Sequence, residues 1–310
     1  MNLSLCVHYS FERIYLAVVG QTARGMSIEY INSTINGIDL DNPNDKKSLG
    51  SVAELNAILA DIDRDIRGIY ITLPSEYVLV TQFPGKDNLS QSDIQKLINI
   101  EVKQAYPQYN STDYTFNVIP LAPRLNGTKM MMAEIIPNMV FTNAKKLLAQ
   151  VKAPVARIEI SQFNAHNAFL YNYPEEKDST VSFFSIQDRF VDVSVVKAGV
   201  PAYYNLLKFN DNSELSAIFE KEIDRIMTDY VEFIDAAYLF GSGLTRTIYD
   251  DSEALLSGMV MKTGRLNAFR MFGSSLSDRE KEYCRKTYHI FPPCVGSALP
   301  PSHERLKFFQ

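Results

Sequence analysis

Two strand–turn–strand units placed roughly 180 residues apart constrain this chain more than any other feature. In the second, Val181–Ile186 and Phe190–Val196 flank the tight turn Gln187-Asp188-Arg189, and Val191, Val193 and Val195 alternate with Asp192 and Ser194. That period of two is the signature of a strand. In the first, Leu3–Val7 and Ile14–Val19 flank a turn near Tyr9–Arg13, with Ile14, Leu16 and Val18 on one face. A hairpin that opens each half of a chain predicts two related lobes. Their turns would face each other across an inter-lobe cleft.

With 310 residues, 46% hydrophobic and 22% charged, the chain is long enough for two lobes and has globular composition. A net charge of −5 without a basic, aromatic-interleaved stripe argues against nucleic acid as a partner. The cysteines, Cys6, Cys284 and Cys294, are odd in number and lack metal-ligand spacing, which fits a reducing compartment. The first residues lack the basic and apolar regions of a signal peptide, and no apolar run is long enough to span a bilayer.

Along the chain, Met26–Asn32 reads as a third strand, Asn36–Leu49 as a surface loop, and Ser51–Glu54 as a capping box opening a helix. Gly68–Leu73 is a buried strand stopped by Pro74. A β-α-β-β-α unit of about 80 residues follows. Its elements are strand Tyr77–Phe83, helix Ser90–Ala105, strands Thr112–Leu121 and Thr128–Ile136, and a helix capped by Asn138. Strand Val155–Ile160 closes it, and helix Ser161–Leu170 returns the chain to the first lobe. The expected division is a first lobe of 1–76 and 159–176, a module of 77–158, and a second lobe of 177–310. In the last, Val200–Phe209, a helix Ser213–Phe233, strand Ala236–Phe240 and helix Leu244–Leu256 precede a polar tail, Pro300–Gln310.

Several segments in this order resemble the PilM family, actin-like cytoplasmic proteins of type IV pilus assembly related to FtsA. They are Ile71-Thr-Leu-Pro-Ser75 with Val78–Pro84, Glu101-Val-Lys-Gln-Ala-Tyr-Pro107, Asp113–Phe116, Glu159–Ala165, Gly199-Val-Pro201 and Gly296–Leu299. The resemblance implies an α/β, actin-like two-lobed fold of the ASKHA, RNase H-like class with mixed sheets. The inserted module would match the 1C subdomain. It also implies a cytoplasmic scaffold of a pilus or secretion platform, held at the inner membrane by a partner. That partner would be a PilN-like bitopic protein whose cytoplasmic peptide lies between first lobe and module; self-association is a further option. On this chain the groove candidates are Leu73, Pro74, Tyr77, Val78, Val80 and Tyr106, with Tyr77 and Tyr106 expected as partly exposed contacts.

The family's nucleotide motifs do not carry over. The first actin-like turn reads D-x-G-S/T, its glycine letting backbone amides approach phosphate. Here the turn is His8-Tyr9-Ser10-Phe11, and the second D-x-G becomes Ser185-Ile186-Gln187. The adenosine-side glycine motif survives only in part, as Gly241-Ser242-Gly243. The segment that would build the upper second lobe shrinks to Phe209–Ser213. These losses predict a pseudo-ATPase without ATP or magnesium. The alternatives are an active ATPase with atypical motifs, or a regulatory pseudo-ATPase of another pathway. Glu12 and Asp188, at the turn tips, suit either metal binding or plain solvation. His8, His166, His289 and His303 lack triad partners, and Met130-Met131-Met132 suits core packing.

Overall fold

In this computed structural model residues 2–23, 25–62, 64–85, 90–110 and 112–301 are described. The first hairpin is β1 (Asn2–His8) and β2 (Tyr15–Thr22), continued antiparallel by β3 (Gly25–Ser33). Helix α1 (Lys46–Ala60) crosses to β4 (Ile66–Leu73), parallel to β1. The inserted module holds β5 (Leu79–Pro84), α2 (Gln91–Ala105), β6 (Tyr114–Leu121), β7 (Met130–Pro137) and α3 (Asn138–Lys146). Then β8 (Val155–Ile160) joins the first sheet beside β4, and α4 (Ser161–Asn172) leaves it. The second half runs β9 (Thr180–Ile186), β10 (Phe190–Lys197), β11 (Val200–Lys208), α5 (Glu214–Asp229), β12 (Ala236–Phe240), α6 (Arg246–Leu256) and β13 (Lys262–Arg265). It ends in β14 (Gly273–Ser274), α7 (Asp278–Thr287) and α8 (Pro292–Gly296).

The two large sheets repeat one plan. The first is ordered β14-β3-β2-β1-β4-β8 and the second β11-β10-β9-β12-β13. In each, an antiparallel meander is followed by two parallel strands, so the hairpins occupy equivalent places. The module is a separate three-stranded sheet, β5-β7-β6. Helix α2 covers one face through Ile94, Ile98 and Val102; the other face packs into the first-lobe core through Ile119, Met130 and Met132. Met131 points to the α2 side, so the methionine run serves both faces.

Several expected boundaries move, each for a local reason. Helix α1 starts at Lys46, not Ser51: Asp45 caps it by accepting from Lys47 N at 2.7 Å and Ser48 N at 2.9 Å. Ser51 Oγ instead donates to Gly37 O at 2.6 Å, and the expected loop before the helix buries Ile38 and Leu40. Asn138 is the first helical residue rather than the cap; its side chain binds Thr115 Oγ1 and Thr112 O. Because β8 pairs with β4 from Val155, the module ends before residue 155. Nor is 177–310 one lobe. Strand β14 pairs with β3, and Phe291, Cys294 and Val295 pack on Cys6 and Tyr15 beneath the first sheet.

Helix α4 lies between the lobes and is buried nearly all round, from Ser161 to Phe169 and again at Asn172. Helix α8 presses on it so closely that a Cβ at Gly296 would stand 1.8 Å from Asn164 O. Gly296→Ala therefore forces a backbone contact apart, and we expect a loss of about 2–3 kcal/mol or more in urea unfolding. Gly50→Ala in α1 meets nothing within 4 Å and removes a flexible residue from a helix, so its expected change is neutral to stabilising.

Candidate functional site

The two hairpin turns face each other across a cavity of about 370 Å³, lined from one side by His8, Ser10, Phe11 and Glu12 and from the other by Gln187, Asp188, Arg189 and Phe190. Each turn spends its polar groups on itself. Ser10 Oγ accepts from Arg13 N at 3.0 Å and donates to Arg13 O at 2.7 Å. Gln187 N donates to Phe190 O at 2.9 Å, and its side chain donates to Ser185 Oγ and accepts from Ser242 Oγ at 2.7 Å. The Phe11 ring, 40% exposed, stacks on Tyr77 at 5.0 Å, and Phe11 O takes Lys47 Nζ at 3.3 Å. Ser185 is fully buried on β9.

The glycine motif after β12 is explained by packing. A Cβ at Gly241 would lie 2.2 Å from Ile186 O, and one at Gly243 2.6 Å from Gln187 O. With φ of +112° at Gly241 and a bond from Gly243 N to Ile186 O, both glycines serve backbone contact with the second turn. None of Gly241, Ser242 or Gly243 lines the cavity.

The cavity carries more acid than base. Glu12, Glu76 and Asp188 line it against Lys47 and Arg189. Burial, then Asp192 and Glu12 nearby, push the Glu76 carboxyl up to about 7. Asp192, 1% exposed on β10, is raised to about 6 by burial although Ser75 and Tyr204 hydrogen-bond it, Tyr204 at 2.7 Å. Burial lowers His8 to about 3, so its imidazole stays neutral. Among the described residues no three His, Cys, Asp or Glu side chains gather as metal ligands. His166 is buried with Nε2 2.7 Å from Ser194 Oγ, and His289 is lowered to about 4 by burial and Arg265. His303 lies outside the described residues. The three cysteines are free.

The six groove candidates separate. Leu73 is core, and Pro74 lines the inter-lobe cavity. Tyr77 is 6% exposed, donating to Asp39 Oδ1 and accepting from Leu40 N, both at 2.8 Å. It is not the exposed contact expected, because the loop before α1 folds over it. The seam between first lobe and module is closed by Tyr77, Val78, Ile119, Met132 and Val140. The open groove, about 530 Å³, lies instead between the module and the second lobe. Val78, Val80 and Tyr106 line it beside Arg124, Tyr203, Tyr204, Leu206, Arg225 and Tyr230. No local pattern announces those last six: Arg124 is in the β6–β7 turn of the module, and the other five, on β11, on α5 and just after it, lie far from the module in sequence. Tyr106 is half-buried and stacks on Tyr109 at 4.9 Å.

No family model matches this chain, and no curated protein matches it. Solved structures do. The chain is similar to one described as a PilM-PilN type IV pilus biogenesis complex, with TM-score 0.74, 13% identity, and coverage of 95% of this chain and 97% of that one. The fold is actin-like. A Bacteroides thetaiotaomicron protein with an actin-like ATPase fold superposes at TM-score 0.51, 12% identical over 85% of this chain and 90% of its own. The ethanolamine utilization protein EutJ from Carboxydothermus hydrogenoformans reaches 0.50 at 8% identity, covering 96% and 89%. The PilM resemblance read from the sequence thus holds for the fold. Among the described residues no helix is long and apolar enough to cross a membrane.

Two predictions come from this geometry. Asp192 binds protons more tightly folded than unfolded, so its contribution to stability is present at low pH and lost as pH rises from about 4 through 6. His8 works oppositely, its contribution falling away as pH drops from about 6.5 toward 3. Melting curves from pH 4 to 7 are expected to show Asp192→Asn gaining relative to wild type as pH rises, and His8→Gln gaining as pH falls. Tyr77→Ala should cost about 3–5 kcal/mol in chemical denaturation, whereas Tyr106→Ala should change stability by about 1 kcal/mol or less.

Proposed function

We propose that this protein is a non-catalytic, actin-like scaffold of a type IV pilus or secretion assembly platform. It binds an extended cytoplasmic peptide of an inner-membrane partner and stays at that membrane through it. The observation that carries the non-catalytic reading is the first turn. Phe11 presents a ring where a phosphate needs bare backbone amides, and the glycine of such a turn is Ser10, whose hydroxyl is bonded to Arg13. Glu12 and Asp188 line the same cavity against Lys47 and Arg189, so it offers no net positive charge to a polyphosphate. Support for the platform reading comes from the likeness to PilM in its complex with PilN across almost the whole chain.

Peptide binding is supported by the groove beside β5, which offers a strand edge, partly buried apolar Val80 and Leu206, and the amphipathic ring of Tyr106.

Titration calorimetry with ATP and magnesium is expected to show no binding at micromolar concentration; a micromolar Kd would overturn the pseudo-ATPase reading. Cross-linking capture on the protein in cells, read by mass spectrometry, is expected to return a single-span inner-membrane protein, and Tyr106→Ala should cut its recovery at least fivefold while the melting temperature stays within about 4 °C of wild type.

A further inference from the structure

The groove beside β5 is bounded by two strand edges. Strand β5 is an edge of the module sheet and β11 an edge of the second-lobe sheet. Gly85 N donates to Lys129 O, which sets the phase of the β5–β7 ladder. Residues 79, 81 and 83 bond inward, and the peptide groups of Val80 and Gln82 turn outward. Pro84, which has no N–H, falls in the same outward phase. On β11, Phe209 N donates to Arg189 O, so residues 203, 205 and 207 bond inward and Tyr204 and Leu206 turn outward.

All four outward residues, Val80, Gln82, Tyr204 and Leu206, line the groove. Among the described residues a single hydrogen bond links β5 to β11, from Gln82 Nε2 to Tyr204 O at 2.6 Å. A side chain makes that link, so the strands stand farther apart than paired neighbours, whose spacing is about 4.8 Å. Gln82 Oε1 is buried there without a hydrogen-bond partner. The groove is therefore a slot with peptide donors and acceptors on both walls.

Two arginines line the slot. The Arg124 guanidinium lies 4.8 Å over the Tyr230 ring and donates to its hydroxyl, leaving Nε buried and unbonded. Arg225 stacks on Tyr203 at 5.6 Å. No described carboxylate forms an ion pair with either arginine, and Glu76 also lines the groove. The nearby Glu222 carboxylate accepts from the Tyr203 hydroxyl and from Asn205 Nδ2, so the stacked guanidiniums keep no ion-pair partner among the described residues and suit an incoming carboxylate.

We propose that a partner's extended segment enters between β5 and β11 as an added strand, joining the module sheet to the second-lobe sheet, with a carboxylate held by Arg124 and Arg225. This rests on the peptide-binding reading above and sets its place, backbone mode and charge.

The probe is a displayed random dodecapeptide library selected on the full chain, with the best peptide then measured by fluorescence anisotropy. Enrichment of Asp or Glu toward one end of an alternating sequence is expected. Val80→Pro and Leu206→Pro each delete an outward N–H at an edge position where proline spares the ladder. Each should weaken binding at least tenfold with unchanged melting temperature. Should a variant lose its fold, alternate N-methylation of the peptide tests the same bonds on the wild-type protein and should give the same loss. Arg124→Glu with Arg225→Glu should reverse the preference from acidic to basic peptides. Tight binding that tolerates the proline variants and N-methylation overturns strand insertion but leaves peptide binding standing. Failure to select any peptide overturns both. Concentration-dependent dimerisation abolished by Val80→Pro would make the occupant a second copy and overturn the partner assignment.

Discussion

The structure depends on a buried polar helix. Helix α4 carries Gln162, Asn164, His166 and Asn167 at positions closed to solvent on every side. Buried amides and imidazoles are tolerable only when bonded. Here they bond to both lobes. Ser194 Oγ on β10 accepts from Gln162 Nε2 at 2.7 Å and stands 2.7 Å from His166 Nε2. Asn164 Nδ2 donates to Thr72 Oγ1 at 2.8 Å, and Thr72 donates on to Pro293 O at 3.0 Å. Moving one lobe against the other would strand these groups, so α4 sets the spacing of the hairpin turns and the width of the cavity between them.

A second set of bonds ties the module to the same frame. Ala122 N donates to Pro201 O and Leu125 N to Asp229 O, so the β6–β7 turn is anchored on the second lobe. The module thus bridges both lobes, its far face filled by Met130 and Met132 against first-lobe core. That bridge holds the edges of β5 and β11 side by side. In the inter-lobe cavity the polar atoms of Ser10 and Gln187 are committed to their own turns and to Ser242. Both surfaces follow from where the lobes and module are pinned.

Much of the architecture was legible because it is periodic. Alternation at Val191, Val193 and Val195, helical spacing at Ile94, Ile98 and Val102, and breakers at Pro74 and Gly241 located strands and helices to within a few residues. Errors fell where two local signals competed. Asp45 and Ser51 both suit a helix start, and Asp45 won because its carboxylate reaches two N–H groups while Ser51 finds Gly37 O. Tyr77 read as exposed because it flanks a proline, yet a loop nearly forty residues earlier covers it.

By itself, then, the sequence determined the repeated hairpin, the inserted unit and the changed turn chemistry at His8, Ser10, Phe11 and Gln187, since these follow from residue type and short-range spacing. Tertiary structure alone decided that Asp192 and Ser194 turn into the inter-lobe seam, that the segment after β13 returns to the first sheet, and that the open groove meets the second lobe. It also decided that Gly241 and Gly243 serve backbone packing. Each of these is a contact between residues far apart in the chain, set by which strand edges and helix faces remain uncovered once the lobes close on α4.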